Sequence, residues 1–374
     1  MTTWIHRFDP PVATATGRIR VAVKDAIDMA GLVTTAGCVA VRNGALPAPV
    51  DAACLAGFRA AGADLVGKTT LTELCLSPVG LNAAFGTPVN PVDPRRIPGG
   101  SSSGSAVAVA SGGADVGLGT DTGGSVRIPA ACCGIVGLKT TWGRISSAGV
   151  WPLARSLDTV GPLARTVDEL IAGMRLLAPD WTPAPRPARH IGRLRIAGVD
   201  QAVEDLVDTA LHAAGLTVRS VHLPGWDATN DAFAAIILGE LWQAHHALLD
   251  VEGLGSAVAD DLRAGRAVST ERLDLAMATR TRWRTEVEAA LAGVDLLALP
   301  TLVAAPPPLS DFADFPLTRL TKPFNLAGVP ALAMPMPSPG HPVPVSLQLV
   351  GPMNGEELLC ATAQAIESAV NQPN

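Results

Sequence analysis

The residues with the clearest chemical potential lie in a glycine- and serine-rich segment, Pro98 to Ala130 (PGGSSSGSAVAVASGGADVGLGTDTGGSVRIPA). Near its end, the stretch Thr122-Gly123-Gly124-Ser125 places a serine directly after two glycines. Glycine tolerates unusual dihedral angles and close approach, so successive backbone N–H groups of such a turn can point into one small space. The pattern has the outline of an oxyanion hole beside a serine, which would act as a nucleophile only if a base activated it.

Lys24 is the best candidate for that base. None of the seven histidines lies in the glycine-rich segment, and only four of the 28 basic residues are lysines. Lys24 directly follows the apolar stretch 18–23 (RIRVAV), at the carboxyl end of a predicted strand, where α/β sheets place their ligands. Desolvation there would lower its pKa toward that of a usable base. On position alone, a lysine whose stem merely covers the strand end explains the residue equally well.

Three better-known glycine motifs do not fit the segment. A P-loop needs a lysine and a hydroxyl residue after its last glycine, and the segment contains no lysine. A dinucleotide fingerprint fails because Gly117 and Gly119 are not followed by a glycine at the required spacing. Residues 100–104 match GxSxG, but the nucleophile elbow requires a preceding strand, and the turn-rich stretch 93–98 (DPRRIP) stands there instead.

The elements that must position these residues alternate between apolar strands and amphipathic helices, which favours an α/β sheet with parallel neighbours. We predict a single domain over 1–374, in which about 180–290 forms a mostly helical insertion or flap that contributes to the substrate pocket. Predicted strands cover 18–23, 64–67, 116–119, 194–199, 294–299, 329–334 and 343–350. Predicted helices cover 50–63, 103–111, 167–177, 202–214, 228–249, 270–291 and 355–370.

Composition excludes several classes of protein. With 48% hydrophobic and 17% charged residues, the chain can bury a core and is not a disordered protein. A net charge of -6 and a pI near 5.6 argue against a nucleic acid as partner. Six cysteines at irregular spacing, with no CxxC, predict buried thiols and neither a disulfide framework nor a zinc site. No apolar run approaches the length of a membrane span, so we expect a cytoplasmic protein without membrane contact.

The chain resembles the amidase signature family of serine amidohydrolases over most of its length. The likeness runs, in the family's order, through 21–37, 62–74, 85–91, 98–112, 119–146, 157–170, 297–301, 321–332 and 344–351. The blocks PGGSSSGSAVAVASG and GTDTGGSVRIPAACCGIVGLKTTWGRIS are the most specific of them. The resemblance implies the family's α/β fold, a mixed, largely parallel twisted sheet covered by helices on both faces.

It also implies a Ser-Ser-Lys triad. Ser125 would be the nucleophile that forms the acyl-enzyme, and Lys24 the base. Ser101, held by a cis peptide bond after Gly100, would bridge the two. The backbone N–H groups of residues 122–125 (Thr122, Gly123, Gly124 and Ser125) would form the oxyanion hole.

Three further residues are expected to support the site. Asp121 and Arg127 flank the turn and would brace it as an ion pair, and Ser102 would hydrogen-bond within the network. Two departures from the family pattern stand out. Ser103 replaces a glycine, and the central region is shorter than in many members, which affects the expected size and lid of the pocket.

The function implied is hydrolysis of a small carboxamide without a metal or cofactor, and a homodimer would be in keeping with the family. Alternatives are the amidase subunit of a tRNA-dependent amidotransferase, ranked lower for the short middle and acidic charge, and an allophanate or ureido-amide hydrolase. A catalytically silent binding protein is the alternative from another class. Trp142, Trp151 and Trp242 are candidates to line an apolar pocket, although core packing explains them equally well.

Overall fold

A mixed sheet of eleven strands organises the part of the chain that the computed structural model describes, residues 2–8, 17–340 and 343–371. The strand order across the sheet is 1-3-2-4-6-5-10-11-9-7-8 in sequence numbering. The strands are β1 (Trp4–Arg7), β2 (Arg20–Lys24), β3 (Asp64–Thr69), β4 (Val116–Asp121), β5 (Val136–Lys139), β6 (Thr159–Ala164), β7 (His190–Leu194), β8 (Thr217–Val221), β9 (Leu296–Pro300), β10 (Ala331–Met336) and β11 (Val345–Val350).

Helices connect most of these strands. They are α1 (Val39–Gly44), α2 (Ala56–Ala60), α3 (Ser103–Ala110), α4 (Arg127–Cys133), α5 (Val167–Leu177), α6 (Gln201–Ala213), α7 (Thr229–His245), α8 (Ser256–Arg266), α9 (Thr270–Ala292), α10 (Lys322–Ala327) and α11 (Glu356–Val370). Short 3-10 turns cover Ala53–Leu55, Glu73–Cys75 and His246–Leu248.

The mixed α/β sheet is confirmed, but parallel pairing is limited to its two flanks. Strands β3, β2 and β4 are parallel neighbours on one side, as are β9, β7 and β8 on the other. All other neighbours within the described residues are antiparallel. The short link between β10 and β11 allows only an antiparallel pair, whereas β7 and β8 are joined by the crossover helix α6.

Helices cover both faces because the side chains of each strand alternate. In β2, Val21 and Val23 pack in a cluster with α5, α6 and α11. Ala22 points to the opposite face and packs in a cluster with α3 and α4. The alternation carries Lys24 to the face of Ala22, where α3 begins just after the serine-rich turn. The sheet therefore brings the lysine and the serines to one place.

The central stretch, about 180–290, is mostly but not entirely helical. It contains β7 and β8, which extend the main sheet at one edge. The predicted strand at 194–199 begins four residues earlier, at His190, because residues 190–194 pair with β8 and β9 while Val199 closes a turn onto Ile196. Helices α8 and α9 both pack against α7, beyond the sheet.

Two predictions from composition can be compared with the structure. All six cysteines are buried and none forms a disulfide. Among the described residues, no helix combines the length and the apolar character needed to cross a membrane.

Candidate active site

Lys24 reaches the serine-rich turn directly. Its Nζ lies 2.7 Å from Ser101 Oγ and 2.6 Å from Thr120 Oγ1, and the whole side chain is buried. Burial lowers the pKa of Lys24 below its usual 10.5, since a charged ammonium loses its hydration there. When Lys24 is neutral, the same contact lets the Ser101 hydroxyl donate its proton to Nζ. Thr120, one residue before the carboxyl end of β4, was not predicted from the sequence.

The two serine-bearing turns are joined by Ser102. Its N–H donates a 3.3 Å hydrogen bond to the carbonyl of Ser125, and its Oγ donates to the carbonyl of Thr120 at 3.3 Å. The peptide bond between Gly100 and Ser101 is cis, as the resemblance implies. A Cβ on Gly100 would lie 2.7 Å from the backbone nitrogen of Gly80, so only glycine fits there.

The second turn links the end of β4 to the start of α4. Gly124 adopts a φ of +132°, which favours glycine, and a Cβ at that position would lie 2.4 Å from Thr321 Oγ1. Thr321 in turn donates a 2.6 Å hydrogen bond to the carbonyl of Gly123. Ser125 follows with 8% of its surface exposed. The turn is thus held from outside by the segment that leads into α10.

One of the four predicted oxyanion donors is already engaged. The N–H of Gly124 donates a 2.8 Å hydrogen bond to Asp121 Oδ1. The N–H groups of Thr122, Gly123 and Ser125 find no acceptor within the described parts of the chain. These three are therefore the donors that a substrate oxygen could use.

Asp121 and Arg127 form a fully buried ion pair behind the turn. Two side-chain hydrogen bonds join them, from Nε to Oδ2 at 3.0 Å and from Nη2 to Oδ1 at 2.9 Å, and the Arg127 backbone N–H also donates to Oδ2. Burial alone would raise the pKa of Asp121, but the Arg127 guanidinium holds it well below its usual range. Arg127 also donates to Asn325, Gln348 and the carbonyl of Thr321. Through Gln348 and Asn325, the ion pair connects the turn to β11 and α10.

A second buried carboxylate, Asp158, lies on the other side of the turn. It accepts hydrogen bonds from Thr122 Oγ1 at 2.6 Å and from the N–H groups of Leu153 and Ala154. Burial raises its pKa to about 6. The sequence block that contains Asp158 belongs to the family resemblance, but nothing in it assigned this residue a role.

A third buried carboxylate follows the lysine itself. Asp25 Oδ1 lies 2.7 Å from Lys68 Nζ, and both side chains are almost completely buried. Lys68 also donates to Thr34 Oγ1 at 2.7 Å, and the N–H of Asp25 donates to the carbonyl of Thr69. Burial is the largest influence on both groups, lowering the pKa of Lys68 and raising that of Asp25. This pair fixes the chain directly after Lys24.

The side chain that lies against the turn from the helical region is Phe233 of α7. A Cβ on Gly123 would lie 2.8 Å from its Cζ. Of the predicted tryptophans, Trp151 stacks on His245 and Trp242 packs on His246, both within the apolar cluster of α7 and α8. Trp142 is 41% exposed, and its indole donates to the carbonyl of Arg155.

Comparison with known proteins finds amidases and related enzymes. The amidase family profile matches residues 18–360. A glutamyl-tRNA(Gln) amidotransferase subunit of Halobacterium salinarum is 33% identical, covering 93% of this chain and 94% of its own. A 2-amino-5-chloromuconic acid deaminase of Comamonas testosteroni is 36% identical, covering 94% and 81%. A solved amidase structure superposes with a TM-score of 0.87 at 34% identity, covering 94% of this chain and 85% of that one.

Proposed function

Because this chain belongs to the amidase family, we propose that it hydrolyses a carboxamide C–N bond through an acyl-enzyme on Ser125. The observation that carries the proposal is the 2.7 Å contact between the buried Lys24 amine and Ser101 Oγ. A desolvated lysine beside a serine hydroxyl can serve as a base, which a surface lysine cannot do near neutral pH. A catalytically silent binding protein would not need a buried lysine amine beside a serine hydroxyl.

In the proposed mechanism, neutral Lys24 accepts the proton of Ser101, and Ser101 accepts that of Ser125 as Ser125 Oγ bonds to the carbonyl carbon. The N–H groups of Thr122, Gly123 and Ser125 stabilise the oxyanion; removal of one such donor typically costs about 3–4 kcal/mol. Ser101 returns a proton to the leaving nitrogen as the C–N bond breaks. Water then hydrolyses the ester, releasing the acid and restoring Ser125.

Two finer functions share this chemistry. The name of the Halobacterium relative favours the amidase subunit of a tRNA-dependent amidotransferase, more strongly than the sequence suggested. In that role the ammonia released from glutamine would pass to a partner. The Comamonas relative and the solved amidase favour a small-molecule hydrolase that works alone. We place the amidotransferase role first and the independent hydrolase second.

Ammonia release separates the two functions. The purified chain should be assayed alone on glutamine and on aliphatic, aryl and ureido amides, and again with the other components of the amidotransferase and glutamyl-tRNA. Glutaminase activity that appears only in the complex supports the amidotransferase role, whereas rapid turnover of a small amide by the chain alone supports the independent hydrolase.

Covalent labelling tests the shared chemistry. A fluorophosphonate should label the wild type and leave Ser125→Ala unlabelled and inactive. Ser346→Ala is a matched control, because Ser346 is buried to a similar degree (6% exposed, against 8%) and its Oγ contacts Thr301 instead. Continued turnover in Ser125→Ala, or equal loss in both variants, would contradict the mechanism.

A further inference from the structure

Cys75 lies against Lys24, the proposed base. Thr120 Oγ1 donates to Cys75 Sγ at 4.0 Å and lies 2.6 Å from Lys24 Nζ. Burial lowers the pKa of Lys24, and both a charge interaction and a side-chain hydrogen bond with Cys75 oppose that effect. The site therefore holds two nucleophiles side by side, a thiol and an amine, and the proposed hydrolysis uses only the amine.

The backbone around Cys75 is held in an unusual conformation. Leu74 and Cys75 both have positive φ, 47° and 63°, a region that residues other than glycine rarely occupy. The N–H of Leu74 donates to the carbonyl of Ala36, and that of Cys75 donates to the carbonyl of Thr72. Thr72 in turn donates to the carbonyl of Ser101 at 3.2 Å. The short turn that carries Cys75 is thus fixed to the serine that contacts Lys24.

The surroundings of the other five cysteines keep them unreactive. Burial raises the pKa of each thiol, to about 11 in Cys38 and about 12 in Cys54, so each keeps its proton near neutral pH. The thiolate, not the thiol, is the form that reacts with oxidants. The Lys24 amine, which accepts the proton of Ser101 in the proposed mechanism, can accept that of Cys75 in the same way.

We infer that Cys75 is an oxidation site at which hydrogen peroxide switches the protein off, by linking the Cys75 sulfur to the Lys24 nitrogen. The thiolate attacks peroxide, so that an S–O bond forms, the O–O bond breaks, and the leaving hydroxide takes the proton held by Lys24. The neutral amine then attacks the sulfenic acid. An N–S bond forms, the S–O bond breaks, and a second water leaves. In total the sulfur loses two electrons, and one peroxide becomes two water molecules.

The link removes the base from the proposed hydrolysis, because Nζ bonded to sulfur no longer accepts the proton of Ser101. Water must reach the acyl group on Ser125 in that mechanism, and peroxide, one oxygen atom larger, enters by the same route. A small dithiol reverses the link by attacking the sulfur, which breaks the N–S bond and returns the thiol and the amine. The inference rests on the proposed hydrolysis for its effect on activity, whereas the covalent link itself does not.

Peptide mapping of the full chain after peroxide treatment is the first test, and it needs no substitution at Cys75. Under non-reducing conditions we expect the peptides of Lys24 and Cys75 to be linked, with a mass lower than their sum by two hydrogen atoms. Dithiothreitol should return the separate peptides. Cys38→Ser is the matched control, because Cys38 lies in the same apolar cluster as Cys75 and is a candidate disulfide partner. This variant should still form the link. A disulfide between Cys38 and Cys75, or a Lys24 peptide that stays unlinked, overturns the inference.

Activity under peroxide is the second test. Amide turnover by the wild type should fall on treatment and return with dithiothreitol. Inactivation of Cys75→Ala should be about 10-fold slower or more, and that of Cys38→Ser should match the wild type, each protein being compared with its own untreated rate. Equal inactivation of all three proteins overturns the inference. A link that forms in a chain without amide turnover would contradict only the proposed hydrolysis, whereas turnover without the link would contradict only the oxidation site.

Discussion

Thr122 Oγ1 donates a 2.6 Å hydrogen bond to Oδ1 of Asp158, which joins the turn that carries the proposed nucleophile to a buried carboxyl group. The same carboxyl group accepts from the N–H groups of Leu153 and Ala154. It therefore connects the turn after β4 to the loop before β6. Because burial raises the pKa of Asp158 to about 6, this connection changes its charge in a mildly acidic range.

The first prediction concerns stability and this titration. The folded protein holds the Asp158 proton up to about pH 6, whereas the unfolded chain releases it near its ordinary pKa of 3.8. Its contribution to stability is thus fully present below about pH 4 and is lost as the pH rises through about 6. Over that range, the free energy of unfolding of the wild type should fall by about 3 kcal/mol relative to Asp158→Asn. Urea unfolding of both proteins at several pH values measures the difference, and a constant difference would contradict the assignment.

The second prediction concerns Lys24 as a base. Activity should rise with pH as Lys24 loses its proton, with an apparent pKa below the usual 10.5 because burial disfavours the ammonium. Lys24→Met should lower kcat about 100- to 10,000-fold, and Lys24→Arg should do the same because arginine keeps its proton.

Lys139→Met is the control for the loss of a buried lysine. Lys139 is also completely buried, and burial lowers its pKa to about 7, but its Nζ donates to the carbonyl of Thr140 and not to a serine. It should retain most of the activity in a pH–rate profile measured beside the Lys24 variants. An equal loss in all three variants would assign the effect to packing instead of proton transfer.

The sequence predicted the groups that share a motif and missed those that meet only in the fold. The strand ending at Lys24 and the helix after Ser101 followed from local patterns, and parallel β2 and β4 explain why they meet. Thr120, Asp158 and Phe233 could not be singled out, because each acts through a contact with a residue distant in the chain.

Local patterns also misjudged some elements. The predicted helix over 50–63 is a 3-10 turn followed by the short α2. Asp51, near the start of that range, does not cap a helix but accepts from the N–H of Ala30 and from Arg59. The N–H of Gly124 was likewise expected to be an oxyanion donor, but it donates to Asp121, and no sequence pattern shows that contact.

The third prediction concerns the ion pair behind the turn. Arg127→Met leaves Asp121 buried without its cation and should lower the free energy of unfolding by about 3–5 kcal/mol at neutral pH. The low pKa of Asp121 contributes stability above its ordinary pKa that is lost as the pH falls. The difference in the free energy of unfolding between wild type and Arg127→Met should therefore shrink in acid.

Arg263→Met is the control. Its pair with Asp260 has a similar distance, 2.7 Å, but lies in solvent, so it should cost less than about 1 kcal/mol. Equal losses in chemical denaturation would contradict a structural role for the buried pair.

The fourth prediction concerns the contact between Gly123 and Phe233. A Cβ at Gly123 would lie 2.8 Å from Phe233 Cζ, so Gly123→Ala must displace either the ring or the turn. Displacement of an oxyanion donor by about 1 Å should lower kcat/KM about 100-fold. Removing the ring as well, in Gly123→Ala/Phe233→Ala, should restore part of the loss, which a double-mutant cycle on kcat/KM measures. Gly239→Ala serves as the control. A Cβ at Gly239 would meet nothing closer than 3.8 Å, so activity should be unchanged, and the stability of α7 should increase by up to about 1 kcal/mol.

The outcome that would contradict this prediction is strict additivity of the losses at Gly123 and Phe233. Additive losses would show that the Phe233 ring does not press on the turn and that α7 does not line the proposed active site.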